Sequence, residues 1–302
     1  MRIGVDLGGT KIEVAVLDED GKMPFRRRAD TPRGDYRATI ETISALVGQA
    51  EAAAGARCSI GVGIPGTISP ATGLIKNANS LWLIGKPLER DLEAALGRPV
   101  RLANDANCFA LSEATDGAAA GADPVFGVIL GTGVGGGIVI GGLVLSGANA
   151  IGGEWGHNPL PYPDDDERPG ETCWCGATGC IETFLSGTGL ARLHREATGR
   201  DLTAPEIAQA AADGDPEPEA SLQAYENRLA RALAGIVNIV DPEAIVLGGG
   251  MSNLARLYEN VPALWQRWIF SDRVDTRLLP PKHGDSSGVR GAARLWLAGS
   301  ES

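Results

Sequence analysis

"RIGVDLGGTKIEVAVLDEDGKMPFRRRADT", from Arg2 to Thr31, is the stretch whose reading decides the fold. Apolar runs alternate with "GGT" and "DEDG", so it reads as strand, turn, strand, turn, strand. The pattern returns from Phe126 in "FGVILGTGVGGGIVIGGLVLSG". Laying Phe126–Gly133 over Ile3–Thr10 gives an offset of 123 residues (126 − 3). A strand meander used twice, each time followed by helices and further strands, predicts two related α/β halves.

The rest of the chain fits that frame. Residues 36–54 carry Ile40, Ile43, Leu46 and Val47 at helical spacing. "CSIGVGIPG" reads as a strand ending in a loop, Leu88 to Leu96 as a helix, "PVRLAND" as a short strand and "ANCFALSEA" as a helix. In the second half, "EAIVLGGGMSN" reads as a strand, a glycine turn and the start of a helix, and "SSGVRGAARLWLA" as a last helix. The expected domains are 1–118, joined by a C-terminal helix over 288–302, and 119–287.

Composition narrows the function. The 302 residues carry a formal charge of −11, which argues against a nucleic-acid or anionic-membrane partner. Five cysteines without regular pairing suit a reducing, cytoplasmic setting. Asp6 interrupts the first apolar run, so no secretory signal is read there. Pro124–Gly153 is uncharged and long enough to span a membrane, but its glycines disfavour a helix and predict short buried strands.

Gly8, Gly9 and Thr10 follow a strand, and Lys11 comes next. Such a turn lets backbone N–H groups approach a phosphate while lysine adds charge. Asp6 could hold Mg²⁺ through water. Taken alone, the motif is equally a hairpin turn. "GTGVGG", containing Gly131, Thr132 and Gly133, satisfies G-x-G-x-x-G, but strand rather than helix follows, which rejects a dinucleotide fold. It reads as a second phosphate-gripping hairpin. Gly248, Gly249 and Gly250 lie between strand and helix, where a flat nucleoside could approach or where the two elements simply pack.

"LANDANC" places Asp105 at a strand-to-helix junction. A carboxylate there could take a proton from a substrate hydroxyl, although Asn104 and Asp105 are both good helix caps. "ETCWCGATGCIET" crowds Cys173, Cys175 and Cys180 into one stretch. Cys-x-Cys-x4-Cys points to zinc, with His157 of "GGEWGHNPLP" as the fourth ligand and His194 left in what reads as an exposed helix. Incidental thiols or a redox pair are the alternative. A closed Cys3His set is structural, and it would fix Glu154 and Glu182, which flank it, as readers of sugar hydroxyls.

Together "DLGGTK", "GIPG", "NDANC", "GTGVGGG", "GEWGH" and "CWCGATGCIE" resemble the ROK family of bacterial sugar kinases and repressors. The resemblance covers essentially the whole chain. It implies two actin/ribonuclease-H-like α/β domains with ATP, Mg²⁺ and a hexose in the cleft between them. It also implies transfer of the ATP γ-phosphoryl to a sugar hydroxyl, with Asp105 as the base. Gly66, Asn79, Asn104, Glu154, His157 and Glu182 fall on the sugar side, and structural zinc on His157, Cys173, Cys175 and Cys180. Within the family, "ISPATGLIKNANSLWLIGKPLERDL" and "KHGDSSGVRGAA" look most like fructokinases, so fructose phosphorylated at its 6-hydroxyl is the expected reaction. N-acetylglucosamine kinases share "GKPL", "NDANCFALSEA" and "ILGTGVGGG", and stand as the alternative, with glucokinases. A sugar-sensing regulator is the alternative from another class; a repressor's helix-turn-helix has no room before the first glycine loop. A homodimer is expected.

Overall fold

The computed structural model describes residues 1–296. In the first half, β1 (Arg2–Leu7), β2 (Lys11–Leu17) and β3 (Phe25–Asp30) form an antiparallel meander. Then follow α1 (Tyr36–Ala54), β4 (Ser59–Ile64), the short pair β5 (Thr67–Ile68) and β6 (Ile75–Lys76), α2 (Leu88–Leu96), β7 (Arg101–Asn104) and α3 (Asp105–Thr115). β4 and β7 add in parallel, which gives the sheet order β3-β2-β1-β4-β7.

The second half repeats the plan. β8 (Val125–Leu130), β9 (Val134–Ile140) and β10 (Leu143–Val144) form the meander. After a long loop come α4 (Ile181–Leu185), α5 (Gly187–Thr198), α6 (Ala204–Ala212), α7 (Pro216–Val240), β11 (Ala244–Gly248), α8 (Leu257–Trp265), β12 (Arg277–Leu279) and α9 (Ser287–Ala293). The order β10-β9-β8-β11-β12 has the same strand directions as the first sheet. The offset of 123 residues holds at both ends of β1 against β8 and of β2 against β9. Pro124–Gly153 is therefore hairpin and loop, and among the described residues no helix is long and apolar enough to cross a membrane.

Alternation explains the two cores. Ile3, Val5, Ile12, Val14, Ile60 and Val62 are fully buried in the first. Phe126, Val128 and Leu130 meet Leu229, Leu233 and Ile245 in the second. Helix α3 lies between the halves. Phe109 and Ala110 pack on Val125, Val139 and Val246 of the second sheet, while α9 packs on both α3 and β1. Gly288 of α9 faces Asp6: a Cβ there would stand 2.9 Å from a carboxylate oxygen.

Two local expectations change. The glycine turn after β11 leads into a 3-10 turn, Gly250–Asn253, and α8 starts only at Leu257. The last helix is a short one, Ser287–Ala293, and residues 297–302 of the expected 288–302 helix lie outside the described residues.

Candidate active site

Asn104 and Asp105 divide the work at the start of α3. The Asn104 side chain is the cap, accepting from the Ala106 N–H at 2.9 Å and donating to the Gly66 carbonyl at 3.2 Å. Asp105 is the first helical residue. One of its oxygens accepts from the same Ala106 N–H at 2.8 Å, and the other has no hydrogen-bond partner among the described residues. Solvent reaches Asp105 through the cleft, yet protein surrounds the carboxyl, and desolvation followed by the charge of Glu154 raises its pKa to about 6. The Ala106 N–H and the neighbouring Asn104 amide pull the other way.

Asp6, at the cleft end of β1, is raised to about 7, first by burial and then by the charges of Asp105 and Glu13. Two carboxylates that disfavour each other's charge in a desolvated site are a donor set suited to a hard divalent cation. The turn beyond Asp6 is closed by Gly8 N–H donating to the Lys11 carbonyl at 2.9 Å, with Lys11 exposed. Thr31 and Arg33 hold the turn from outside by donating to the carbonyls of Gly8 and Gly9. Asn79 is exposed beside Ser80, whose hydroxyl faces Gly9.

The second glycine turn borders a cavity of about 710 Å³. Gly131 and Thr132 form one side and Gly250 another. Pro205 and Gln209 of α6 and Met251 and Asn253 of the Gly250–Asn253 turn also line it; none of these four was singled out from the sequence, because none carries a charge or belongs to a glycine run. The cavity has the size and apolar-with-amide lining that suits a nucleoside. Gly248 and Gly249 do not line it. They pack on Phe109 and the Leu130 backbone instead.

Across the cleft, Glu154, His157 and Glu182 come together. Burial raises the Glu154 pKa, His157 lowers it and Glu182 raises it. Glu182 is clamped: Val134 N–H donates to Oε2 at 2.8 Å and the Trp174 indole N–H to Oε1 at 2.7 Å. Lys76 of the first half donates to the Asn149 carbonyl of the second at 2.9 Å. Nearby, a cavity of about 160 Å³ is lined by Asn104, Thr67 and Ser146, and by Asn107, whose buried Oδ1 has no partner. Asn107 was missed in the sequence, being read only as part of a helix. An orphaned buried acceptor was the signal, and only coordinates carry it.

His157, Cys173, Cys175 and Cys180 place one ligand atom each within 4.8 Å of one another. Cys175 Sγ lies 3.7 Å from Cys180 Sγ, and Cys173 Sγ 3.6 Å from His157 Nδ1. A tetrahedral zinc with bonds of about 2.3 Å to sulfur would set its sulfurs about 3.8 Å apart, so the set fits. Burial, followed by the neighbouring thiols of Cys175 and Cys173, pushes the Cys180 thiol up to about 12.

His194 departs from expectation. It is fully buried, not exposed, and its Nδ1 lies 2.8 Å from Ser221 Oγ. It lines a cavity of about 830 Å³ between α5 and α7. The arginines there are already paired, Arg192 with Glu196 and Arg228 with Glu167.

Comparison with known proteins agrees with this arrangement. The N-acetyl-D-glucosamine kinase of Pasteurella multocida is 41% identical over 304 residues, covering 99% of this chain and 100% of that one. A ROK hexokinase from Thermus thermophilus superposes with a TM-score of 0.86 at 34% identity, covering 97% of this chain and 96% of the other. A ROK family glucokinase from Streptomyces griseus, solved with glucose and AMPPNP, gives 0.79 at 30% identity, covering 97% and 98%. The ROK family profile matches residues 2–298. With two halves of one topology closing on these carboxylates, and a family match from end to end, this chain belongs to the ROK family.

Proposed function

We propose that the chain is an ATP-dependent sugar kinase whose preferred acceptor is N-acetyl-D-glucosamine, phosphorylated on a hydroxyl presented to Asp105. The observation that carries the chemistry is the division of labour at α3. Asn104 does the capping, so the second oxygen of Asp105 is left facing the cleft without a partner. It can accept the proton of the sugar hydroxyl as the sugar oxygen bonds to the γ-phosphorus of ATP and the bond to the departing ADP breaks. The nucleoside occupies the cavity beside Thr132, and the two glycine turns offer backbone N–H groups to the phosphates. Mg²⁺, held through Asp6, would neutralise phosphate charge.

Glu154 and Glu182 accept from sugar hydroxyls and His157 donates its second ring N–H to one, while its Nδ1 with the three cysteines would hold a structural zinc that fixes this wall. Such a wall suits any neutral hexose, and for that reason fructose, expected from sequence motifs alone, gives way. The full-length likeness to N-acetyl-D-glucosamine kinases at 41% identity favours the acetamido sugar. The test is kcat/KM for N-acetylglucosamine, glucose, mannose and fructose at saturating Mg-ATP. N-acetylglucosamine should lead. A lead by fructose would restore the first expectation, and no ATP consumption with any sugar would favour a sensor.

A further inference from the structure

Between two of the clustered thiols stands Trp174. The residue is 65% exposed, although Cys173 beside it is buried. The indole N–H donates to Glu182 Oε1 at 2.7 Å. Its ring meets His157 edge-on, with centroids 5.0 Å apart. One side chain thus touches two groups of the sugar wall and keeps much of its surface free.

We propose that Trp174 is a positioning residue for sugar binding: its N–H holds the Glu182 carboxylate in one orientation, and its exposed ring forms the rim that the sugar covers. The inference rests on the proposed sugar-kinase reading. A carboxylate offers about four acceptor sites. Val134 takes one site on Oε2, and Trp174 takes one on Oε1, which Cys173 Sγ also approaches at 3.9 Å; Oε2 thus keeps a site for a sugar hydroxyl. Held from both sides, Glu182 loses little rotamer freedom when sugar arrives, so less of the interaction is offset by ordering. The bond joins a neutral donor to a charged acceptor, which makes it stronger than an ordinary one. Trp174 is also carried by the stretch that the metal would order, so the metal's loop reaches the sugar through this indole.

Trp174→Phe keeps a ring and removes the donor. The sugar KM should rise roughly tenfold, while kcat and the KM for ATP move less than about twofold. Zinc content by metal analysis should be unchanged. In a Glu182→Ala background the same change should add no further loss of N-acetylglucosamine affinity by calorimetry, because the effect passes through Glu182. Binding of N-acetylglucosamine without ATP should also alter tryptophan emission in the unaltered protein, and Trp174→Phe should remove that component. An unchanged or lower sugar KM overturns the proposal, as does loss of zinc from the variant, which would make Trp174 a part of the metal loop only. The comparison is run with whichever hexose the unaltered protein turns over best. A different preferred sugar then counts against the acceptor reading and not against Trp174, whereas absence of any sugar binding overturns both.

Discussion

The two halves of this chain share a frame and split the chemistry. With the offset of 123, Asp6 on β1 corresponds to Ile129 on β8, Thr10 to Gly133, Lys11 to Val134 and Glu13 to Gly136. The first half puts charge on its strands. Glu13 is buried and paired with Arg26 and Arg28, and Asp6 faces the cleft. The second half strips the same positions to apolar residues and glycine, and brings its carboxylates in another way. Only residues 31–35 separate β3 from α1, but residues 145–180 separate β10 from α4. That long loop carries Glu154, His157 and all three clustered cysteines, and delivers Glu182 at its far end. The second sheet is packed so tightly beneath it that a Cβ on Gly136 would stand 2.7 Å from Trp155. On the proposed reading, the duplicated topology would supply two turns for phosphates, and the long loop of the second half would supply the sugar wall.

The sharpest break in this comparison lies where the halves meet. Asp105→Asn should keep the Asn104 cap, the fold and ATP binding, yet lower turnover by roughly 10²–10⁴; single-turnover kinetics and nucleotide titration check both. Next comes the inserted loop. Cys180→Ser, or zinc removal by a chelator, should weaken sugar binding by on the order of 10²-fold, since small misplacements cost that much. ATP binding, which belongs to the turns, should persist in the same calorimetric series. Metal analysis finding no zinc in carefully purified protein would break this half of the comparison.

Smaller still is Gly133→Ala. The counterpart, Thr10, already bears a side chain, but a Cβ at Gly133 would stand 2.7 Å from Glu182 Oε2. The sugar KM should rise by roughly tenfold, in line with loss of a charged hydrogen bond. The gentlest probe is pH. A carboxylate base works when deprotonated, and burial raises Asp105 to about 6. Turnover should therefore fall as pH drops through that value, and the part of the fall that belongs to Asp105 should be lost in Asp105→Asn, leaving any part that belongs to Asp6, raised to about 7. A profile flat from neutral pH down to about 4, the ordinary carboxylate range, would place the base elsewhere.

Some of this was legible without coordinates. Helix α1 begins and ends as its spacing of Ile43, Leu46 and Val47 requires, and the two meanders keep one offset through both strand pairs. The Cys-x-Cys-x4-Cys spacing points to a metal, while His157 follows as fourth ligand from its glycine-bounded loop and the family resemblance; the four side chains do come together. His194 was misread because helical spacing shows which face a residue occupies but not what covers it: α7 lies over that face and buries the ring against Ser221. The sugar preference was illegible for a different reason. Carboxylate and amide acceptors do not distinguish one neutral hexose from another until their geometry about the ring is known.

What the amino-acid order alone determined is whatever depends on near neighbours: the strand meanders and their repetition, the helix periods, the thiol spacing and the acidic junction at Asn104 and Asp105. Only the tertiary structure decided that Asn104 caps while Asp105 keeps an oxygen free, that Trp174 reaches Glu182, and that Asn107 leaves an acceptor unpaired beside the cleft. The physical reason is the range of the interactions. Periodicity and capping act over a turn or two of chain, whereas a hydrogen bond or a burial cost depends on which distant element closes over the group.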